Sequence, residues 1–154
     1  MIAGIAIPAV LQARMAANEG AAIASLRVIH SAQTSFAASC AAGGYAQSLQ
    51  DLALPPAGST QGFIPEPLST NGTLRSGYVA NVSADAGATI VVPAAATCNS
   101  SAAPAMSTFF AEGHPQSIGM SGQRSFALST RGAIFFRDDG VPIAPGMAGA
   151  FVLR

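Results

Sequence analysis

The sequence has few charged residues and no lysine. Charged side chains make up 9% of its 154 residues, far below the usual ~25%. The acidic and basic residues balance, and every basic residue is arginine. A net charge near zero lacks the attraction that nonspecific nucleic-acid binding requires, so we expect no nucleic-acid partner. Such a surface, covered by Ala, Gly, Ser, Thr, Gln and Asn, suits close subunit packing, although a GC-rich genome produces the same bias.

Long apolar runs are also scarce. The sequence "MIAGIAIPAVL" covers residues 1–11, and no long run of large apolar residues follows it, which excludes a membrane-embedded helical bundle. A helix needs roughly 20 apolar residues to cross a bilayer, so this run is too short. It also lacks the basic segment and the small-residue cleavage site of a secretion signal. The apolar N-terminus therefore needs another apolar environment.

Cysteine occurs only at Cys40 and Cys98. A structural zinc site normally takes four nitrogen or sulfur ligands, so this pair is a poor metal site. In a reducing cytosol the two residues are expected to be buried thiols. In an exported protein they are expected to form a disulfide. By reducing the conformational entropy of the unfolded chain, a disulfide that closes a loop of this size stabilises the fold by about 4 kcal/mol.

Residues 1–42 are predicted to form one long helix, because they are rich in good helix formers and are followed by Gly43-Gly44. At 1.5 Å per residue such a helix measures roughly 60 Å, more than a compact domain of this size covers. We therefore expect residues 1–15 to project and the C-terminal half to pack on a globular head. An apolar stripe at helical spacing runs along that half. Its members are Leu26, Ile29, Gln33, Phe36 and Cys40. Polar residues such as Asn18, Glu19, Ser25 and Arg27 mostly fall off the stripe.

The head is predicted to span residues 43–154, with a loop region at 55–76 that is rich in turn-forming residues. Five segments have the composition of strands. They are residues 77–82, 88–92, 106–112, 124–129 and 133–137. The last two are separated by Thr130-Arg131-Gly132, which indicates a hairpin. These features predict an α+β fold in which the helix packs Leu26, Ile29 and Phe36 on an antiparallel sheet of about four strands.

The N-terminal stretch "AGIAIPAVLQARMAANEGAAIASLRVIHSAQTSFAASCAAGGYAQSLQDLA" resembles the first helix of type IV pilins and of the major pseudopilins of type II secretion. In that family an apolar helix carries a proline, is followed by a few polar residues, and ends in an amphipathic half near a similar turn. The segments "SGYVANV" and "AEGHPQSIGMSGQRSFALSTRGAIFFRDDG" resemble the family's sheet more loosely. The resemblance implies a pilin-like fold.

The resemblance also implies a structural function and not an enzymatic one. Subunits of this family wait in the inner membrane and assemble with identical or related subunits into a helical filament, periplasmic or extracellular. The implied assembly residues lie in the apolar run: Ile2, Ile5, Ile7, Pro8, Val10 and Leu11. A proline there removes one backbone donor, so Pro8 either kinks the helix or, as in the family, accompanies local melting on assembly.

The family's leader, its cleavage site and a glutamate near the mature N-terminus have no counterpart in this sequence. Met1 aligns inside the family's apolar helix. The resemblance thus implies a longer precursor, which prepilin peptidase and the assembly machinery would process.

A minor pilin is the main alternative, with a head that binds a secreted substrate, DNA or a surface. A DNA-binding head should carry a basic stripe, whereas the head's arginines are scattered along the sequence. The abundance of the chain in purified filaments would separate a major from a minor subunit. A small periplasmic hydrolase is a third class, but no constellation of residues in the sequence supports it.

The residues that most resemble a chemical site have simpler explanations. His30 is expected at the boundary of the apolar stripe, and His114 is expected in a turn before a proline. The segment around Ser121 lacks the spacing of a G-x-S-x-G nucleophile elbow. Asp138 and Asp139 offer too few oxygens for calcium, which takes six to eight, and are expected to form a turn. We therefore expect no catalytic residue, no metal and no cofactor.

Overall fold

A single long helix dominates the fold. The computed structural model describes residues 3–154, with side-chain environments from residue 8 onward. Helix α1 extends over Ala3–Ser39 and is followed by the short helix α2, Leu49–Ala53. The helix ends three residues earlier than predicted, because Ala42 adopts a left-handed conformation and the amide of Gly43 donates to the Ala37 carbonyl at 2.8 Å. This hydrogen bond satisfies one of the carbonyls left free at the helix end.

The main sheet is antiparallel and has six strands in the order β1-β2-β5-β6-β7-β8. These strands are β1 Thr73–Arg75, β2 Tyr78–Ala84, β5 Phe109–Pro115, β6 Ser125–Ser129, β7 Ile134–Arg137 and β8 Phe151–Val152. Strands β3, Ile90–Val92, and β4, Ala105–Met106, form a separate pair. A short 3-10 turn, Ala94–Ala96, lies between them.

The expected sheet of about four strands is too small. The two additional strands, β1 and β8, lie at the edges of the sheet and contain three and two residues. Such short segments have no room for the apolar-polar alternation that marks a strand. Strand β1 also lies inside the region 55–76 that was predicted to be a loop. The hairpin between β6 and β7 is present, with Gly132 at a positive φ of 79°.

The core lies between α1 and the inner face of the sheet. The helix contacts β2, β5 and β6, and Leu26, Ile29 and Phe36 are fully buried there. Ala22 and Ala32 extend the buried stripe, and their small side chains allow the helix to approach the strands closely. Because side chains alternate along a strand, the opposite face carries a second, smaller core. It consists of Phe110, Ala127 and Ile143.

Gln33 is a polar member of the buried stripe. Its side chain is wholly buried and makes two hydrogen bonds with Ala46: the amide donates to the carbonyl at 2.7 Å, and its oxygen accepts from the N–H at 2.9 Å. A buried amide with both groups paired carries no unsatisfied polar atom. Gln33 therefore fixes the chain that returns after the helix against the helix itself.

Candidate assembly site

The N-terminal part of α1 projects beyond the head. Every residue from Pro8 to Arg14 is exposed, and Ala16 and Ala17 are exposed as well. Val10 is 53% exposed and Leu11 is 39% exposed. Ile2 lies outside the described residues, and so do the side chains of Ile5 and Ile7. Large apolar side chains on an unpartnered helix provide a surface for another apolar surface to cover.

Pro8 lies inside the helix, which is continuous on both sides of it. Proline has no N–H, so the hydrogen bond to the carbonyl of Gly4 cannot form. The isolated chain thus keeps its helical conformation around Pro8. Melting of this segment on assembly stays a prediction.

Glu19 holds the helix to the head at the point where it leaves. The carboxylate is buried, and its Oε1 accepts from the backbone N–H groups of Gln123 and Arg124 at 3.0 and 3.1 Å. Its Oε2 accepts from Nε and Nη2 of Arg124 at 2.9 and 2.8 Å. Charge-assisted hydrogen bonds of this kind are among the stronger hydrogen bonds in proteins. We call this arrangement the Glu19 clamp.

Neighbouring contacts fix the Glu19 clamp in place. The guanidinium of Arg124 lies over the rings of Phe126 and Phe136, with Cζ 5.5 and 5.7 Å from their centroids. The Tyr78 hydroxyl donates to the Arg124 carbonyl at 2.6 Å. Burial raises the pKa of the Tyr78 phenol well above its usual value, and the negative charge of Glu19 raises this pKa further. Tyr78 therefore stays protonated and keeps donating throughout the physiological pH range.

Two further contacts bring the loop between β5 and β6 against the helix. The Asn18 side chain donates to the carbonyl of Ser121 at 2.8 Å. A Cβ on Gly122 would lie 2.1 Å from the Tyr78 hydroxyl oxygen, so only glycine fits at this position. The loop is thus tied to the helix by both hydrogen bonds and close packing.

Replacing Glu19 with alanine is expected to lower the free energy of unfolding by about 2–4 kcal/mol. The change removes a buried partner of Arg124 and leaves two backbone donors without their acceptor. Arg124 keeps some access to solvent, so we place the loss below that of a fully buried pair. Urea unfolding followed by circular dichroism measures it.

Glu66→Ala is the matched control, because Glu66 is exposed and its side chain accepts a local hydrogen bond from the Ser69 hydroxyl at 2.9 Å. It is expected to change the stability by less than about 0.5 kcal/mol. Equal losses in the two variants would show that the clamp does not hold the helix.

The position of Glu19 differs from the sequence-based expectation, as does that of Ser25. Both were expected to fall mostly off the apolar stripe, yet both are buried, because the three- and four-residue steps of the stripe continue back from Leu26 through Ala22 to Glu19, and Ser25 lies four residues before Ile29. Ser25 satisfies its hydroxyl locally by donating to the Ala21 carbonyl at 3.0 Å. Glu19 needs a partner more than 100 residues away, which helical periodicity cannot reveal. Two signals were available in the sequence: Glu19 lies seven residues before Leu26, in register with the stripe, and it is the only acidic residue in the first 42.

The predicted disulfide between Cys40 and Cys98 is confirmed. The two Cα atoms are 4.7 Å apart, within the range that a disulfide spans. Cys40 continues the buried stripe, whereas Cys98 is exposed in the loop that follows β3. The bond joins the end of the helix to that loop.

The same loop is held by hydrogen bonds that the sequence did not indicate. The buried side chain of Asn99 donates to the carbonyl of Asp51 at 2.7 Å. The amide of Ala102 donates to the Asp51 carboxylate, also at 2.7 Å. This polar network gives the loop a second attachment besides the disulfide.

The two histidines have structural contacts. The ring of His30 lies 6.1 Å from that of Phe109, and its Nε2 is 3.4 Å from the Thr130 carbonyl. The expectation of a turn at His114 is wrong, because it lies in β5. There Nδ1 of His114 is 3.0 Å from the Glu112 carboxylate.

The acidic pair Asp138-Asp139 follows β7 and is exposed. Arg137 Nε donates to Asp139 at 3.2 Å, and this interaction holds the pKa of the Asp139 carboxyl below its usual value. Within the described residues no three His, Cys, Asp or Glu side chains are grouped to hold a metal ion.

No helix in the described part of the chain is long and apolar enough to cross a membrane. Comparison with known proteins adds no relative: no family model, no curated protein and no solved structure matches this chain.

Proposed function

We propose that this chain is a structural subunit of a type IV pilus or of a type II secretion pseudopilus. In this proposal the head is pilin-like, and the apolar N-terminal helix packs with the same helix of identical or related subunits to form a helical filament. The observation that carries the proposal is the projecting helix. Val10 and Leu11 are exposed, while the core of the head begins near Ala22 and is complete without them.

The physical argument concerns the environment of the projecting helix. A helix that is apolar all round is stable in lipid or in a bundle of similar helices. The proposed subunit uses both environments in turn: it resides in the inner membrane before assembly and in a periplasmic or extracellular filament afterwards. The disulfide supports an exported location, since such bonds persist in oxidising compartments.

The proposal predicts that polar substitutions on the projecting helix abolish assembly. Burial of each large apolar side chain is worth about 1.5–3 kcal/mol, so Val10→Asn with Leu11→Gln should raise the critical concentration for assembly at least about 100-fold. The full chain is purified in detergent, the detergent is removed, and filaments are measured by sedimentation and negative-stain electron microscopy. Deleting residues 1–15 should leave a folded monomer by size-exclusion chromatography and circular dichroism.

The head offers a matched control. Leu54 is 39% exposed, as is Leu11, and Val152 is 52% exposed, close to the 53% of Val10. The double variant Leu54→Gln, Val152→Asn removes similar apolar surface and should assemble like the unchanged chain. Equal assembly by the helix and head variants would refute the proposal, and so would unfolding of the head on deletion of residues 1–15.

A further inference from the structure

The loop between β5 and β6 carries two large, exposed apolar side chains. Ile118 is 53% exposed and Met120 is 69% exposed. The loop segment from Gln116 to Gln123 contains no charged residue. Exposed Val141 continues the apolar surface, because Ile118 packs beside Gly140, the residue before it. We call Ile118, Met120 and Val141 the basal patch.

The basal patch lies at the end of the head from which the helix departs. Strand β5 begins with Phe109, which lies beside His30, and ends at Pro115. The loop that follows contacts Asn18 through Ser121. Between His30 and Asn18 the helix advances roughly 18 Å toward its N-terminus. Strand β5 thus runs down the sheet toward the projecting helix, and the loop extends past the last paired residues of the sheet.

A single positive charge lies on the projecting helix close to the head. Arg14 is exposed and is the only charged residue among the first 18. Four residues, or roughly 6 Å along the helix axis, separate it from Asn18 and the loop. A bilayer's polar interface is about 5–7 Å thick on each side of the hydrocarbon core. Arg14 and the loop are therefore spaced to occupy the inner and outer levels of one interface.

We propose that the basal patch rests on the surface of a lipid bilayer while the projecting helix is inserted. Ile118 and Met120 enter the interface beside the helix, and the guanidinium of Arg14 binds a headgroup phosphate, with its aliphatic stem in the apolar region. The exposed carboxylate of Asp138 follows β7 at the same end, and the exposed guanidinium of Arg75 lies there too, because Arg75 pairs with Tyr78 and Tyr78 with Pro115. The two charges offset each other, so the matching lipid is zwitterionic. This inference rests on the proposed function, because it requires the helix to reside in a membrane.

The basal patch adjoins the projecting helix, and this favours lipid over a second copy of the chain as the surface that covers the patch. The helix and the loop are joined by the Glu19 clamp and by the Asn18 contact. Wherever the helix inserts, this end of the head is brought to the surface of the bilayer. A protein partner would have to compete with lipid that is already adjacent.

Fluorescence quenching tests the proposal. A single cysteine is introduced at Met120, at Leu11 or at Ile90, and is labelled with bimane after the Cys40–Cys98 disulfide has formed. Ile90 is the matched control, because it is 64% exposed and pairs with Met106 near the other end of the helix. The full chain is added to phosphatidylcholine vesicles whose acyl chains are brominated close to the headgroup. Fluorescence should fall about twofold or more at positions 11 and 120 and stay unchanged at position 90.

The three positions separate the possible failures. Quenching at 11 without quenching at 120 would overturn the inference and leave the proposed function standing. Absence of quenching at 11 would count against membrane residence itself. If the label at 120 instead becomes shielded with rising protein concentration and no vesicles, a second copy covers the patch and the inference is wrong. As a second readout, Ile118→Gln with Met120→Gln should reduce binding to phosphatidylcholine vesicles about tenfold, and Ile90→Gln should not.

Discussion

Replacing Phe36 with alanine is expected to lower the free energy of unfolding by about 3–5 kcal/mol. The Phe36 ring is fully buried between the helix and the head and packs edge-on against Phe63, with centroids 5.3 Å apart. Truncation removes this apolar contact and leaves a cavity that a helix anchored on both sides of Phe36 cannot close. Chemical denaturation of the purified chain measures the loss.

Phe151→Ala provides the comparison. This phenylalanine also contacts another aromatic ring, that of Phe136 at 6.0 Å, but it lies exposed on the edge strand β8. Its truncation should change the stability by less than about 1 kcal/mol, because little area is removed from water. A loss at Phe36 no larger than the loss at Phe151 would mean that the helix does not form the core with the sheet.

Removing the disulfide is expected to lower the free energy of unfolding by about 4 kcal/mol. The bond joins residues 58 positions apart, and releasing a loop of that length increases the conformational entropy of the unfolded chain. Urea unfolding of the Cys40→Ala, Cys98→Ala variant measures the effect. In the unchanged, oxidised chain, a thiol assay under denaturing conditions should find no free thiol; two free thiols would contradict the bond.

Loss of the disulfide should leave the loop that follows β3, residues 93–105 with Cys98, in place. The contacts of Asp51 with Asn99 and Ala102 are independent of the two sulfur atoms. In the double cysteine variant, hydrogen exchange at the Ala102 amide should stay slow, whereas Asp51→Ala should make it fast even with the disulfide intact. Rapid exchange in the double cysteine variant would show that the disulfide alone orders the loop.

The spacing of apolar and polar residues predicted those parts of the fold in which residues close in sequence face the same environment, either the core or solvent. The spacing of Leu26, Ile29 and Phe36 placed them on one helix face, and that face is the buried one. The strands with several residues were recognisable from composition, whereas β1 and β8 have too few residues to show a pattern.

The sequence predicted the apolar part of the candidate site but not the polar contacts that hold it. The apolar character of Val10 and Leu11 pointed to a surface that needs covering. The contact between Glu19 and Arg124 depends on how the chain folds back over more than 100 residues, and the β5–β6 loop reaches the helix for the same reason. Such contacts arise from the tertiary arrangement, so the residues around Glu19 in the sequence give no sign of its partner.

The Glu19 clamp determines an angle as well as a stability. From Ala3 to Glu19 the helix forms a lever arm roughly 24 Å long, so a rotation of about 10° at the clamp displaces its far end by about 4 Å. That displacement approaches the width of an apolar side chain, and it would bring the end of the helix out of register with any surface built to receive it. The paired oxygens of Glu19 restrict rotation about two axes at once, because one binds the backbone of the loop and the other binds the guanidinium of Arg124. Together with the Asn18 contact and the packing of α1 on the sheet, this carboxylate limits the angular tolerance with which the head presents its helix.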